Sequence, residues 1–229
     1  MPELNNHNSK ENRYRVKVCK DGPYLVTGGV PLAEQIMRVD TEGQCHGWKE
    51  GKKYPVKESY ALCRCGNTKT PPYCDGTHIK TNFNGRETAS RDTYLERAEE
   101  IVGPGLRLTD TKDFCASARF CHRSGGTWEL TKLSDDPEAR QKAIEEACDC
   151  PSGRLVVWDK NGNAIESGFQ PSIGLIEDTQ AGKMGPLWVR GGIPVESEDG
   201  SAYEIRNRVT LCRCGKSSNK PFCDGRHLK

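Results

Sequence analysis

The sequence predicts a mixed α+β protein, in which a β-rich unit occurs twice around a different middle segment. Three observations carry this. A block of short apolar runs ending in a cysteine loop recurs at both ends of the chain. Within the blocks, alternating and β-branched runs have the period-2 pattern of half-buried strands. The middle segment, about 88–171, instead carries helix starts and stops.

In the repeat, Gly22-Pro23-Tyr24-Leu25-Val26-Thr27-Gly28-Gly29-Val30-Pro31 matches Gly185-Pro186-Leu187-Trp188-Val189-Arg190-Gly191-Gly192-Ile193-Pro194. Leu62-Cys63-Arg64-Cys65-Gly66 matches Leu211-Cys212-Arg213-Cys214-Gly215, and Cys74-Asp75-Gly76-Thr77-His78 matches Cys223-Asp224-Gly225-Arg226-His227. The offset falls from 163 at the Gly-Pro pair to 149 at the first cysteine, so the first copy carries 14 extra residues, placed within 34–48. Each unit reads as a strand, a Gly-Gly turn, a second strand and a cysteine loop. Residues 14–18 and 203–211 are further strand candidates.

In the middle segment, 91–102 reads as a short helix with Tyr94, Leu95, Ala98 and Ile101 on one side, stopped by Gly103-Pro104-Gly105. Asp136-Pro137 opens a second helix, with Asp136 as N-cap and Pro137 in the first helical position. Ala139, Ala143, Ile144 and Ala147 form its narrow apolar stripe, and Pro151 and Gly153 end it. Leu155 to Trp158 reads as a strand, followed by a turn at Lys160-Asn161-Gly162-Asn163.

Composition narrows the function classes. Leu, Ile, Val and Phe make up 40 of 229 residues, below the ~20% of a chain with a full apolar core. The net charge is only +2, unlike a disordered chain, and it gives no bulk attraction to nucleic acid or an anionic membrane. Twelve cysteines point to small cores stapled by disulfides or metal centres. No apolar run reaches the ~18–20 residues of a membrane span. Residues 1–15 are polar and lack the apolar stretch of a secretory signal. The expected compartment is the reducing cytoplasm, which disfavours disulfides.

Both cysteine loops read C-x-C-x8-C-x3-H. Thiolate and imidazole are good ligands for zinc and iron. In each copy the C-x-C pair can grip one metal, and the later Cys and His another. Gly66 and Gly215 let the backbone pass close to a centre. Asp75-Gly76 and Asp224-Gly225 form a cap and turn that would aim the histidine at the metal. A structural Cys₃His zinc site in each copy is the alternative on spacing alone.

The full motif resembles that of the CDGSH, or mitoNEET-like, iron–sulfur proteins. The first copy matches at Cys63, Cys65, Thr68, Pro72, Cys74, Asp75, Gly76, Thr77 and His78. The second matches at Cys212, Cys214, Ser217, Pro221, Cys223, Asp224, Gly225 and His227, with Arg226 where the family has a small residue. The resemblance implies one [2Fe–2S] cluster per copy, held by three Cys and one His, and two motifs in one chain imply an intrachain pseudo-dimer. One imidazole in place of a thiolate raises the cluster potential, less than the two of a Rieske centre do. A protonatable ligand also predicts acid lability, with His78 and His227 as the weak points.

The middle cysteines form Cys115-x5-Cys121, followed by Cys148-Asp149-Cys150-Pro151. This resembles single-cluster ferredoxins, more weakly than the CDGSH match. At the midpoint, where four-iron types have a cysteine, stands Ala118. On that likeness Cys115, Cys121 and Cys150 bind a [3Fe–4S] cluster; a [4Fe–4S] cluster with Cys148 or a non-cysteine fourth ligand is the close alternative. A zinc site or idle thiols is the other reading. His122 reads as a surface histidine and Cys148 as a spare thiol beside the cluster. Cys19 and Cys45 lack partners at ligand spacing and read as small buried or inert thiols. His46 follows Cys45 without completing a site, and His7 lies in a polar tail. Arg154, Arg190, Arg206 and Arg208 read as solvated faces or stabilisers of anionic clusters, and Trp128, Trp158 and Trp188 as core.

The expected layout is thus a first CDGSH unit over 1–87, a small ferredoxin-like α+β domain over 88–171 and a second CDGSH unit over 172–229. The expected function is one-electron transfer through up to three clusters, with a redox partner protein or cluster acceptor and without nucleic acid or membrane. Cluster storage, transfer or sensing is the second class, and a zinc-stapled binding protein the third. No nucleophile elbow, P-loop, G-x-G-x-x-G or H-E-x-x-H appears, so no catalytic role is expected. The thin core makes folding metal-dependent, and the protomer is expected to be a monomer with its internal pseudo-dimer.

Overall fold

The computed structural model describes residues 13–229; His7 lies outside the described residues. Strands β1 (Arg15–Val18), β2 (Tyr24–Thr27), β3 (Leu32–Val39), β4 (Cys45–Tyr54) and β5 (Ser59–Leu62) precede the first cysteine loop, which ends in helix α1 (Thr77–Lys80). The middle segment contains α2 (Tyr94–Arg97), β6 (Glu99–Val102), β7 (Arg107–Asp110), α3 (Thr127–Lys132), α4 (Pro137–Asp149), β8 (Leu155–Trp158) and β9 (Ala164–Ile165). Then β10 (Ser172–Asp178), β11 (Lys183–Arg190), β12 (Val195–Glu196) and β13 (Arg208–Leu211) lead into the second cysteine loop. The protein is α+β, as the sequence predicts, and none of its described helices is long and apolar enough to cross a membrane.

The two repeats exchange strands. One sheet runs β12-β1-β2-β5 and another β13-β11-β10-β3-β4. In the first, β1 lies parallel to β12 of the second repeat, with Val16 opposite Val195. In the second, β10 lies parallel to β3 of the first repeat, with Ile173 opposite Leu32. The first sheet thus takes one strand, β12, from the second repeat, and the second sheet takes two, β3 and β4, from the first, which is the structural form of the pseudo-dimer. The alternation in β1 and β2 turns Val16, Val18, Tyr24 and Val26 inward, where they join Leu175, Leu187, Val189 and Leu211 in one shared core. Neither repeat has enough apolar residues for a core alone, and the exchange pools them.

The 14 extra residues of the first copy lengthen one hairpin. β3 and β4 pair from Leu32–Tyr54 to Val39–Cys45. The equivalent in the second copy is the two-residue β12, closed by a Glu196–Ala202 bridge. The long hairpin reaches the middle segment. Trp48 packs at 4.8 Å from Phe120 and 4.7 Å from Trp188, between centroids, and its Nε1 donates to the Asp149 carbonyl.

A third sheet, β6-β7-β8-β9, backs α3 and α4 in the middle segment. Helix α4 starts as its sequence predicts: the Asp136 carboxylate accepts from Ala139 N at 2.8 Å, and Pro137 stands in the first turn. Ala139, Ala143 and Ala147 are buried along it, and β8 and its following turn also stand where expected. Trp188 is core, while Trp128 and Trp158 are half-buried with bonded indole N–H groups.

Two expected elements differ. The helix over 91–102 stops at Arg97, and Glu99–Val102 is strand β6, paired with β7. The β-branched Ile101-Val102 favours the strand, and the Gly103-Pro104-Gly105 stop is instead the turn of a β-hairpin. There is no room there for a side chain, since a Cβ on Gly103 would lie 1.8 Å from the Thr131 carbonyl. The strand over 203–211 is ordered as such only from Arg208. Before it, Tyr203 turns to pack on Phe222, and the Arg206 guanidinium lies 3.9 Å over the Tyr94 ring.

Arg208 also departs from a solvated face: its side chain is 1% exposed. Nε donates to the Cys150 carbonyl at 2.7 Å, Nη2 to the Ala147 carbonyl at 2.8 Å, and Nη1 pairs with Glu166. It thus ties β13 to the C-terminal end of α4, where a cation is favoured. Arg208→Met should lower the unfolding free energy by about 3 kcal/mol, because it leaves carbonyls and a carboxylate without their charged donor. Chemical denaturation monitored by circular dichroism checks this; a loss below 1 kcal/mol, on the scale of an exposed pair, would refute the buried tie.

Candidate metal centres

Both cysteine loops close onto the strand that precedes them. Cys63 N donates to Pro72 O and Cys74 N to Ala61 O, each at 2.9 Å. In the second loop Cys212 N donates to Pro221 O at 2.8 Å and Cys223 N to Thr210 O at 2.9 Å. The Thr68 and Ser217 hydroxyls each donate to the carbonyl before the third cysteine, at 2.7 Å. Both loops have a cis peptide before the motif proline. The motif's Ser/Thr, Pro and Asp thus shape the backbone that carries the ligands.

The aspartates cap the last turn of each loop. Asp75 accepts from Lys69 N at 2.8 Å and Thr77 N at 2.9 Å. These two amides, Lys69 first, hold its carboxyl well below the usual range. Asp224 does the same with Ser218 N and Arg226 N. Arg226, the departure from the motif, uses its side chain to pair with Asp224 and leaves this cap in place. Gly76 and Gly225 follow in the left-handed region, at φ of 84° and 80°, and swing the histidine back.

The donors come in pairs. Cys63 and Cys65 hold their sulfurs 3.7 Å apart, and Cys212 and Cys214 theirs 3.8 Å apart. His78 Nδ1 lies 3.3 Å from Cys74 Sγ, and His227 Nδ1 lies 3.5 Å from Cys223 Sγ. Two thiolates on one tetrahedral ion, each bound at ~2.3 Å, sit about 3.8 Å apart. Every pair therefore has the spacing of two donors to one metal ion, with Nδ1 the imidazole nitrogen that faces the thiol. Among the described residues no three or more His, Cys, Asp or Glu side chains gather around a single ion. The donor set of each loop fits a two-metal group gripped at both ends.

In the second loop the Cys212 and Cys214 thiols share a proton: their hydrogen bond lowers Cys212 and raises Cys214, and the Ser217 and Gly215 amides lower Cys212 further. Burial pushes the Cys223 thiol up. Burial also lowers the His227 imidazole, which favours the neutral ring a metal needs.

The middle cysteines meet as well. Cys115, Cys121 and Cys150 line one pocket with Ala118, Ser152 and Arg154. The Cys121 thiol is pushed up to about 12 by burial, then by the neighbouring Cys150. Such thiols ionise when a metal supplies the positive charge. Cys148 stands outside this pocket, its thiol directed to the Ile165 carbonyl at 3.6 Å. His122 is exposed and packs on Trp128, and His46 pairs with Asp40. Cys45 is buried and Cys19 half-buried.

Several supporting residues escaped the sequence reading. Asp110 holds the Arg154 guanidinium through two bonds of 2.6 and 2.7 Å, and Arg154 also reaches Cys115. Ser152 Oγ lies 3.5 Å from Cys150 Sγ. The arginines inside both C-x-C pairs are buried: Arg64 donates to Cys19 O, and Arg213 pairs with Glu177. Their recurrence in both copies was the available signal. Tyr24 of the first repeat donates to or shares its hydroxyl with Cys212 O and Pro221 O of the second loop.

The two CDGSH-like loops lie back to back, joined by an antiparallel bridge between Cys65 and Cys214. A Cβ on Gly66 would stand 2.7 Å from Cys214 O, and one on Gly215 the same distance from Cys65 O. Gly66→Ala should therefore destabilise the protein by more than the ~1–2 kcal/mol of left-handed backbone strain alone. Thermal melting, with metal content measured on the same sample, checks this; an unchanged melting temperature would contradict the close approach.

Residues 21–79 and 184–228 match the family described as iron-binding zinc finger, CDGSH type, and residues 101–160 match the divergent 4Fe-4S mono-cluster family. No curated protein and no solved structure matches the chain. The first match holds Cys63, Cys65, Cys74 and His78, the second outer match holds Cys212, Cys214, Cys223 and His227, and the middle one holds Cys115, Cys121 and Cys150. The chain is an iron–sulfur protein in which two CDGSH-family segments flank a segment of the divergent mono-cluster family.

Proposed function

We propose that the protein is a one-electron carrier with a [2Fe–2S] cluster in each CDGSH loop and a [3Fe–4S] cluster in the middle segment. The observation that carries it is the division of each loop's donors into two single-metal pairs. The clusters supply reversible one-electron chemistry. The chain supplies the donors, buries them and orients the amides and guanidinium groups that stabilise negative charge on sulfur. Three thiols lining the middle pocket, with Cys148 turned elsewhere, support three irons over four; a four-iron cluster would need a non-cysteine ligand. The partner of this function is a redox protein. Twelve free thiols accord with a reducing cytoplasm.

A second reading, cluster storage or transfer, is favoured by one observation. The His78 end of the first loop borders a cleft of about 800 Å³, also lined by Lys20, Ile79 and Arg86. A protonatable ligand at an open end lowers the barrier to release. Mixing holoprotein with an apo-ferredoxin separates the readings: cluster uptake by the acceptor supports transfer, and electron exchange without uptake supports the carrier.

Anaerobically purified protein should contain about seven irons and matching sulfide, from two two-iron sites and one three-iron site, with an EPR signal in the oxidised state. Stoichiometric zinc without sulfide would overturn the redox reading. Protonation removes imidazole from a metal, so cluster retention should fall as pH drops. His78→Cys should slow acid decay of the first cluster, followed by its visible absorption; an unchanged decay rate would show that His78 is not the weak ligand.

A further inference from the structure

The two CDGSH loops share a motif but not an environment. At Gly76 of the first loop, an added Cβ would meet nothing within 4 Å. At Gly225 of the second, the same atom would stand 2.3 Å from Ser117 Oγ and 3.3 Å from Cys115 O. Cys115 and Ser117 belong to the pocket of the middle cysteines. His227 in turn lines a small pocket with Ala116 and Ser117. The Cys/His end of the second loop is thus packed against the middle ligand loop, whereas that end of the first loop faces a cleft, with Ile79 beside it 73% exposed.

The opposite end of the second loop has a different neighbour. Its C-x-C end carries Cys214, which bridges to Cys65 of the first loop. A two-iron site gripped at both ends by separate donor pairs has two faces, and here each face meets another ligand set.

We infer that the three ligand sets form a line in which the second CDGSH site is the link, touching the first site through Cys214 and the middle site through Gly225. This rests on the electron-carrier reading for its use, but the arrangement is a matter of distance alone. The line is asymmetric: it begins at the His78 end beside the open cleft and ends in the middle segment. Gly225 is then a positioning residue, whose missing side chain lets the middle loop approach.

The test is spin coupling between clusters, measured by EPR relaxation and pulsed dipolar methods on holoprotein poised with the two-iron sites reduced and the middle cluster oxidised, so that both carry an unpaired spin, with iron and sulfide counted on every variant. Removing the first site with Cys63→Ser and Cys65→Ser should leave the relaxation of the middle cluster unchanged. Removing the second with Cys212→Ser and Cys214→Ser should abolish its enhancement. The reverse pattern, or equal effects, would overturn the order. Should the second variant fail to fold, a matched glycine pair decides. Gly225→Ala and Gly76→Ala impose the same left-handed strain, but only Gly225→Ala should weaken the coupling of the middle cluster, and adding Ser117→Gly should restore it. Equal coupling in the two alanine variants would refute the proposal. Failure of the loaded protein to pass electrons to a carrier protein would count against the carrier reading and leave the coupling result standing.

Discussion

Each cysteine loop hangs from a strand whose sheet is completed by the other repeat, and most of the architecture depends on that exchange. The pairing of β1 with β12 and of β10 with β3 pools two sets of apolar residues into one core. It also sets the loops back to back, where Gly66 and Gly215 allow backbone contact that any side chain would block. A chain with so few large apolar residues has little core to hold such loops otherwise. The remaining rigidity comes from polar ties: the aspartate caps, the buried C-x-C arginines and the Tyr24 hydroxyl.

The long β3–β4 hairpin breaks the symmetry that the repeat would otherwise impose. It carries Trp48 to Phe120 and Trp188, and its Cys45 carbonyl meets Arg123, which also pairs with Asp149 of α4. The middle segment is thereby docked on one side of the pseudo-dimer. That docking explains why Gly225 is crowded and Gly76 is not, although the two motifs are nearly the same in sequence.

Much of this was legible beforehand because it is written in local spacing. The grouping of the eleven cysteines and histidines, the Asp136-Pro137 helix start and the place of the 14-residue insertion all follow from patterns a few residues long. What was not legible lies in pairing across the chain. Val16 and Val195 carry no mutual signal, so the exchange of strands could not be read from either. Residues 99–102 favoured a strand by β-branching, but the glycines after them fit a helix stop as well as a hairpin turn. Arg208 looked like a surface charge because most of its partners are backbone carbonyls, which no residue type betrays, and its one carboxylate, Glu166, lies 42 residues away in sequence. Cys148 stands two residues before Cys150, the C-cap of α4, and only the direction of its side chain sets it apart.

The strand exchange also imposes an order in time. During synthesis the first cysteine loop emerges long before β12, the strand that completes its sheet. Until residues 195–196 leave the ribosome, the first repeat is an unfinished sheet with an open edge at β1. Contacts of such long sequence separation form late and slowly. Nearly the whole chain must therefore be made before either loop has its final frame, which ties maturation of the first metal site to completion of the second repeat.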